Sequence, residues 1–313
     1  MKAAVFNRYG PTDVLEIIDI EKPKPKADET LVQVHGASIN PKDTFIRKGR
    51  FKRFTGSQFP MQMGLDFAGE VVDVGQEVNT VKKGEHVFGM LDGWQGRACA
   101  EYVLAKPSQL ARKPEGLSFE EASALPLVSL TALQALRDKG KIQRGMEVCI
   151  NGASGGVGSM AVQIARIYGT SITAISSAAN HEFLIDLGVD ACIDYHDKEI
   201  KNLDRHFDIF FDVFGNQRFR TIKPILKKNG TWVSTVIQPH VFISMFTTKF
   251  FARKKAKMVM VHSSNEDLSI VGKWVETGGL RPIIHKVFSL DKIQEAHALL
   301  EAKHTRGKIV LSI

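Results

Sequence analysis

The chain has 313 residues, of which 43% are hydrophobic and 24% are charged, and its formal net charge is +8 at pH 7. This composition is typical of a soluble globular protein and excludes a disordered or fibrous chain. The length is sufficient for two domains, or one large domain, with a substantial core.

The first hundred or so residues are predicted to form an irregular β-rich domain without long helices. Glycine and proline residues separate short stretches of alternating polarity, which is the pattern of strands and turns. The alternating stretches are Leu31–His35, Phe67–Val74 and Glu85–Met90. Ser118 and Glu121 then form a capping box, which predicts a helical stretch that continues after Pro126 to Leu136.

Beyond residue 146 the pattern changes to alternating strands and helices, which predicts a parallel, doubly wound sheet with right-handed crossovers. The predicted strands are Glu147–Asn151, Ser171–Ser176, Ala191–Asp194, Phe207–Val213, Thr231–Val236 and Met258–Val261. The predicted helices between them are Val157–Tyr168, His181–Leu187 and Phe219–Lys227. Helices at Leu268–Thr277 and Leu290–Lys303 and a strand at Lys308–Ser312 complete the chain.

A glycine-rich turn connects the first of these strands to the first helix. Its glycines would let backbone N–H groups approach a diphosphate at the positive end of the helix. Ala153 replaces the first glycine of the usual G-x-G-x-x-G pattern, and such a turn can also serve packing alone. The strand and helix on either side favour a dinucleotide site. The predicted cofactor-binding residues of this turn are Gly152, Ser154, Gly155, Gly156, Val157 and Gly158.

The charges and cysteines restrict the possible partners. The basic residues are spread along the chain except for the dense cluster at 249–257, which is interpreted as a solvated face rather than a nucleic-acid site. The three cysteines form no Cys-x-x-Cys pair, which indicates a reducing, cytoplasmic compartment. Neither a signal peptide nor a membrane span is predicted, since the apolar run at 241–251 is short and contains Lys249.

Further motifs lie along nearly the whole chain. They are Ala37–Asp43, Gly64–Gly69 with Val74 and Gly75, Pro114–Ser118, Leu130–Leu133, Gly152–Gly158, Ile193–Tyr195, Phe207–Gly215 and Arg306–Val310. Together they resemble the zinc-free quinone oxidoreductase and enoyl-reductase branch of the medium-chain dehydrogenase/reductase superfamily. Within that branch the chain is similar to the subgroup of reticulon-interacting quinone oxidoreductases.

This resemblance implies a Rossmann domain, a doubly wound parallel α/β sheet, inserted in a GroES-like β-rich catalytic domain. The expected boundaries are 1–120, completed by 264–313, for the catalytic lobe and 121–263 for the nucleotide-binding domain. The active site is expected in the cleft between them.

The resemblance also implies a reaction without zinc. Relatives that use the metal have a cysteine where this chain has Ser38 or Asn40, and a Gly-His-Glu where it has Gly64-Leu65-Asp66. The region of their structural zinc loop contains Cys99 as its one cysteine. Zinc is held by about four nitrogen, sulfur or oxygen ligands, and neither set is complete here. Zinc-dependent alcohol oxidation is therefore excluded.

The predicted cofactor is NADPH. Recognition of NAD usually requires a carboxylate about 20 residues after the glycine turn. The second strand instead ends with Ser176 and Ser177, whose hydroxyls could donate to a 2′-phosphate or could merely cap the strand. The resemblance adds Tyr195 as a phosphate contact, whereas the Arg or Lys that many relatives have is missing from 178–180.

The resemblance assigns further roles around the nicotinamide. Asn40, Asp43 and Thr131 are the catalytic candidates, although Asn40-Pro41 is also an ordinary turn signal and Thr131 could bond its own helix. Asp66 is interpreted as structural rather than as a proton donor. The remaining expected cofactor contacts are Asn40, Thr131, Phe214, Gly215, Val236 and Lys308.

The predicted substrate pocket is mainly aromatic. Several quinone-reducing relatives have tyrosines where this chain has Phe45 and Phe51, so flat apolar walls remain while phenol contacts are lost. The segment 241–251 could complete this pocket as a lid, or could equally form a dimer interface. The predicted pocket residues are Phe45, Arg47, Phe51, Trp94 and Phe242.

Together these features predict a zinc-independent oxidoreductase that transfers hydride from NADPH to a quinone or an α,β-unsaturated carbonyl. A homodimer is expected, and binding to nucleic acid is not. Two alternatives remain open: a 2-alkenal reductase without quinone activity, and a nucleotide-binding protein that holds RNA through residues 249–257.

Overall fold

The computed structural model describes residues 1–197, 199–250, 252–302 and 305–313. In chain order the strands are β1 (Lys2–Phe6), β2 (Leu15–Asp19), β3 (Thr30–Ile39), β4 (Met61–Gln62), β5 (Asp66–Val74), β6 (His86–Met90), β7 (Tyr102–Ala105), β8 (Leu110–Arg112), β9 (Glu147–Asn151), β10 (Ser171–Ser176), β11 (Ala191–Asp194), β12 (Phe207–Asp212), β13 (Leu226–Ser234), β14 (Lys255–Met258), β15 (Ile284–Ser289) and β16 (Lys308–Ser312). The α-helices are α1 (Pro41–Arg47), α2 (Lys52–Thr55), α3 (Phe119–Ser123), α4 (Pro126–Leu133), α5 (Gly156–Ile167), α6 (His181–Asp186), α7 (Phe219–Ile222), α8 (Pro239–Thr248), α9 (Asn265–Glu276) and α10 (Ile293–Glu301).

The chain divides into two compact units. The first unit consists of Met1–Leu127 and His262–Ile313, and the second of Val128–Val261. The first boundary lies several residues beyond the predicted one at 120/121, because α3 packs on β3 and β5 of the first unit. The second lies close to the predicted 263/264.

The first unit contains two sheets and brings distant parts of the chain side by side. One sheet has the order β2-β1-β4, and the larger has the order β15-β16-β3-β5-β6-β8, with β7 also paired to β3. The last strand, β16, is antiparallel to β3, with Val310 opposite Ser38. On the other side of β3, Ser38 lies opposite Asp66 of β5. This register brings parts of β3, β5 and β16, which are remote in sequence, together around Ser38.

The second unit contains the predicted parallel, doubly wound sheet, with the order β11-β10-β9-β12-β13-β14. The buried Phe207, Phe210 and Trp232 fill its core together with apolar residues from the helices. The α/β fold class is thereby confirmed.

Several predicted elements have other boundaries in the structure. The predicted helix Phe219–Lys227 ends at Ile222, because Pro224 has no N–H to continue it, and β13 begins at Leu226. The predicted strand Met258–Val261 lies earlier, at Lys255–Met258. The helix predicted to end at Leu136 continues to Gly140 as a π-helix. The predicted end of the last helix, Lys303, lies outside the described residues.

The strands that were not predicted are β1, β2, β4, β7, β8 and β15. No helix in the part of the chain that the structure describes is long and apolar enough to cross a membrane.

Candidate functional site

The glycine-rich turn of the second unit has the geometry of a diphosphate cradle. Gly152 has a φ of 83°, which disfavours any other residue. A Cβ atom at Gly158 would lie 2.1 Å from the carbonyl oxygen of Gly152, so only glycine lets α5 approach the turn. The N-cap of α5 is Gly155, and no side chain caps this end of the helix. The first-turn N–H groups of α5 therefore suit an anionic ligand.

Three serine hydroxyls meet beside this turn. The Oγ atoms of Ser154 and Ser176 are 3.0 Å apart. The side-chain amide of Asn180 donates to the Oγ atoms of Ser154, Ser176 and Ser177 at 3.1–3.2 Å. Asn180 was not predicted as a site residue, although its position four residues after Ser176, at the start of a helix, was a usable signal. The cluster can present several donors to a phosphate group.

The carboxylate of Asp194 closes the same corner of the sheet but is already hydrogen-bonded. It accepts from the backbone N–H of Ala178 and of His196, each at 2.8 Å, and from the ring of His196 at 2.8 Å. These bonds, foremost that from the His196 backbone, hold the pKa of Asp194 below its usual value. Tyr195 is exposed, and its ring lies 4.2 Å from that of His196. His196, a further nitrogen donor at this corner, was not predicted from the sequence.

Gly215 lies against Val236 and follows Phe214 directly in the chain. A Cβ atom at Gly215 would lie 2.1 Å from Cγ1 of Val236. The loop is fixed by Asp212, whose Oδ1 accepts from the Gly215 N–H at 2.9 Å and from the Asn151 amide at 2.8 Å. Thr131 is buried in α4.

In the first unit, Lys308 is the centre of a buried polar cluster. Its Nζ donates to Oδ1 of Asn40 at 2.5 Å, Oδ2 of Asp66 at 3.1 Å and the carbonyl of Ile39 at 3.2 Å. Lys308 is 5% exposed and Asp66 is fully buried. The ammonium donors of Lys308 are engaged within this cluster. Its expected contact with the cofactor stays a prediction.

Asp66 holds the cluster together. Its Oδ2 also accepts from Ser38 Oγ and from the Asn40 amide, both at 2.8 Å, and its Oδ1 accepts from the Leu127 N–H at 2.8 Å. A carboxylate with this many donors is a structural anchor. The geometry agrees with the interpretation of Asp66 as structural, and it fixes the side chain of Asn40.

This cluster occupies the positions that the resemblance assigns to metal ligands in zinc-dependent relatives. Serine and asparagine are poor zinc ligands, and the ammonium of Lys308 would repel a divalent cation beside Asp66. Within the described ranges, no group of three or more His, Cys, Asp or Glu residues could hold a metal ion. The residues present do not fit a catalytic zinc.

Asp43 is a buried helix cap. Its Oδ2 accepts from the backbone N–H of Asn40 at 2.8 Å, at the start of α1. Burial raises its pKa to about 6, against the opposing effect of that hydrogen bond. In this arrangement Asp43 supports the backbone of Asn40. Its catalytic role stays a prediction.

Three of the predicted pocket residues form an aromatic group in the first unit. The ring of Phe51 lies 4.7 Å from that of Trp94 and 6.5 Å from that of Phe45. Phe54, which the sequence analysis missed, stacks on Trp94 at 4.9 Å and is 66% exposed. Nζ of Lys42 lies 5.4 Å from the centroid of the Trp94 ring. The group offers flat apolar surfaces suited to a planar ligand.

The other two predicted pocket residues lie elsewhere. Arg47 is fully buried, and its guanidinium donates to the carbonyl of Gly10 at 2.6 Å and to the carboxylate of Glu301. Its assignment to the pocket was wrong, because both sides of the guanidinium are engaged inside the first unit. Phe242 lies on α8 of the second unit and is exposed.

Family models match both parts of the chain. The model described as an alcohol dehydrogenase GroES-like domain matches residues 26–115, and the model described as a zinc-binding dehydrogenase matches residues 187–311. A Rossmann-like parallel sheet with a glycine cradle, in one chain with a GroES-like domain, defines a medium-chain dehydrogenase/reductase.

Individual relatives narrow this class. The chain is 35% identical to 2-methylene-furan-3-one reductase of Solanum lycopersicum, covering 99% of this chain and 79% of that one. It is 31% identical to the chloroplastic quinone-oxidoreductase homolog of Spinacia oleracea, covering 99% and 98%. The solved quinone oxidoreductase of Coxiella burnetii has a TM-score of 0.93 at 34% identity, covering 100% and 99%. The chain belongs to the branch of the superfamily that contains the zinc-free quinone oxidoreductases.

Proposed function

We propose that the protein is a zinc-independent oxidoreductase that uses NADPH to reduce a quinone or an α,β-unsaturated carbonyl. The observation that carries the proposal is the buried cluster of Lys308, Asp66 and Asn40, which replaces metal ligands with an internal ion pair. Conjugated acceptors suit such a site, because they delocalise the charge that arrives with a hydride.

The relatives support this acceptor class. The relative from Solanum lycopersicum is named for an enone substrate and that from Spinacia oleracea for quinone reduction. These names do not favour an RNA-holding protein without turnover. The aromatic group around Phe51 and Trp94 would hold a planar acceptor by stacking.

The residues of the second unit fit NADPH. The cofactor, when bound, supplies the hydride. The glycine turn would bind its diphosphate, while Ser154, Ser176 and Ser177 would donate to the 2′-phosphate. Asn40 and Thr131 are proposed to orient the nicotinamide side, with Asn40 held in place by Asp66 and Lys308.

We further infer that the protein acts in the cytoplasm as a homodimer. Cys99, Cys149 and Cys192 are free thiols, which supports a reducing compartment. Sedimentation of the purified protein would test the dimer.

Steady-state kinetics test the activity. We expect oxidation of NADPH, faster than that of NADH, with an ortho-quinone, a para-quinone or an enone, and no oxidation of a simple alcohol with NADP⁺. Metal analysis of the active protein should find no stoichiometric zinc. Absence of turnover with every acceptor despite binding of NADPH, or zinc-dependent alcohol oxidation, would overturn the proposal.

Ser177 provides a test of cofactor choice. Ser177→Asp should lower the ratio of kcat/KM for NADPH to that for NADH at least about tenfold, because a carboxylate repels the 2′-phosphate. Ser177→Ala is the matched control; it removes a donor without adding charge and should change the ratio less. An unaltered ratio in Ser177→Asp would contradict the assignment of this corner to the phosphate.

A further inference from the structure

The net positive charge of the protein is confined to one segment. Residues 213–265 contain ten Lys and Arg residues and no Asp or Glu. Since the whole chain has 42 basic and 34 acidic residues, the remainder has 32 basic and 34 acidic residues and a net charge of −2. An anionic partner would therefore be attracted to this segment and not to the rest of the molecule.

Helix α8 lies inside this segment and exposes large apolar side chains. Its inner side packs Val241 and Met245 against the core of the second unit. Its outer side exposes Ile243 by 64% and Phe246 by 77%, and the adjacent Phe250 by 68%. Ile243 and Phe246 are three positions apart and so share one face of the helix, and Phe250 follows shortly after its C-terminal end. Large apolar side chains grouped in this way mark a binding surface.

The hydroxyl groups on the exposed side of α8 and the carbonyls at its C-terminal end have internal hydrogen-bond partners. The hydroxyl of Ser244 donates to the carbonyl of His240 at 2.7 Å, and that of Thr247 to the carbonyl of Ile243 at 2.9 Å. At the C-terminal end, Nζ of Lys255 donates to the carbonyls of Thr248 and Lys249 at 2.9 and 3.0 Å. The helix can therefore enter a nonpolar medium without leaving these donors and acceptors unsatisfied.

Cations border this apolar face. Lys249 and Arg253 are exposed, and in the described parts of the chain no carboxylate pairs with either. Nζ of Lys249 lies 5.1 Å from the ring of Phe250, so the charge is adjacent to the apolar side chains. Ile243, Phe246, Lys249, Phe250 and Arg253 together form what we term the α8 face.

We propose that the α8 face docks the protein on an anionic phospholipid surface, with α8 lying in the plane of the interface. Exposed Phe and Ile would enter the acyl boundary, while Lys249 and Arg253 would pair with lipid phosphates and acidic headgroups. In a twofold dimer formed through this face, the cations of one copy would lie opposite the same cations of the other and would repel them. A nucleic acid would use the cations but leave Ile243 and Phe246 in water.

Flotation of the full-length protein with vesicles tests this docking. The protein should float with vesicles of phosphatidylcholine and phosphatidylserine and remain largely unbound with phosphatidylcholine alone. The double variant Ile243→Ser/Phe246→Ser should weaken binding roughly tenfold or more, by loss of buried apolar area. Arg253→Glu should weaken it roughly thirtyfold, because two units of charge are lost near the surface.

Matched controls come from other surfaces of the same chain. Ile185 on α6 is 61% exposed, so Ile185→Ser removes a comparable apolar side chain outside the α8 face. Lys82 is exposed in the first unit, so Lys82→Glu makes the same charge change elsewhere. Both controls should bind vesicles like the wild type. All variants should keep turnover with water-soluble acceptors, so that failure of the docking proposal and failure of the proposed function are distinguishable.

Several results would overturn the proposal. One is absence of wild-type flotation with anionic vesicles, and another is unchanged flotation of both test variants. Loss of binding in Arg253→Glu with full retention in Ile243→Ser/Phe246→Ser would indicate a purely electrostatic site of the nucleic-acid type. A wild type that does not float, with a dimer that dissociates in Ile243→Ser/Phe246→Ser, would assign the α8 face to a second copy.

Discussion

Lys308 and Asp66 form an ion pair that is almost completely buried in the first unit. Removing two charges from water is costly, and such a pair persists only when further hydrogen bonds satisfy its remaining groups. Here Ser38, Asn40 and the Leu127 N–H provide them. The pair therefore fixes the orientation of Asn40 more than it adds net stability.

Removing one partner of this ion pair should strongly lower the stability of the protein. Lys308→Met leaves the Asp66 carboxylate buried without its cation, and we expect a loss of about 3–5 kcal/mol in the free energy of unfolding. Denaturant titration measures this loss. The double variant Lys308→Met/Asp66→Asn should recover a large part of it, since no buried charge remains.

Lys286 on the neighbouring strand β15 provides the control for Lys308. It is exposed, and Lys286→Met should change stability by no more than about 0.5 kcal/mol. An equal effect of Lys308→Met and Lys286→Met would show that the buried pair does not carry the structure assigned to it.

Asp43 should make stability depend on pH in the direction opposite to an ordinary salt-bridged carboxylate. Its pKa is about 6 in the folded protein, raised by burial, and about 3.8 when unfolded. Between these values the folded state binds more protons, so stability is lost as pH rises. Relative to Asp43→Asn, the wild type should lose about 2 kcal/mol between pH 4 and pH 7.

Urea unfolding of both proteins across this range measures the effect of Asp43. Asn at this position can still accept from the Asn40 N–H, so the comparison isolates the charge. A difference in stability that stays constant with pH would mean that Asp43 does not titrate between the two states.

At the scale of elements, the contact between α10 and α1 contains the least satisfied polar groups of the first unit. His297 on α10 is fully buried, and within the described residues neither ring nitrogen has a hydrogen-bond partner. Arg47 of α1 is fully buried beside it and lowers its pKa further. Burial, the larger cause, and Arg47 together bring the pKa of His297 to about 3.

This contact should open in acid. Because the unfolded His297 titrates at about 6.5 and the folded one at about 3, the unfolded state binds more protons between these values. Stability is then lost as pH falls through this window, by about 3 kcal/mol between pH 7 and pH 4. His297→Leu should remove this loss in denaturant titrations. A variant with the same acid sensitivity as the wild type would exclude His297 as its source.

Local patterns were sufficient to predict the elements of the nucleotide side. The turn before α5 and the periodicity within it are encoded by neighbouring residues, so the glycine cradle was expected where it lies. By contrast, Lys308 lies 242 positions from Asp66, and Arg47 lies 254 positions from Glu301. No local pattern reports whether a lysine or arginine finds such a partner. For this reason Arg47 was misassigned and the partners of Lys308 were not predicted, whereas Phe51 and Trp94 were placed in one aromatic group.

At the scale of the whole molecule, the boundaries of the basic segment do not coincide with those of the compact units. The basic segment 213–265 extends just beyond the second unit, which ends at Val261. Because Lys and Arg are spread along the whole chain, their distribution alone does not reveal this segment. What distinguishes the segment from the rest of the chain is that it contains no Asp or Glu. The net charge of +8 is thus a property of one segment of the chain and not of the whole fold.

The first unit is discontinuous, and its sheet depends on the end of the chain. Strand β16 lies between β15 and β3, so its loss would expose both neighbours and remove Lys308. Deleting residues 307–313 should therefore unfold the first unit, while the continuous second unit, Val128–Val261, has its own core and should persist.

Limited proteolysis followed by mass measurement would detect this second unit as the surviving fragment, and NADPH should still protect it from cleavage. Deleting Ile313 alone is the control. It removes one hydrogen bond to the carbonyl of His35 and leaves β16 intact, so the full-length pattern should be retained. Simultaneous loss of both units in the longer deletion would mean that the second unit requires the first in order to fold.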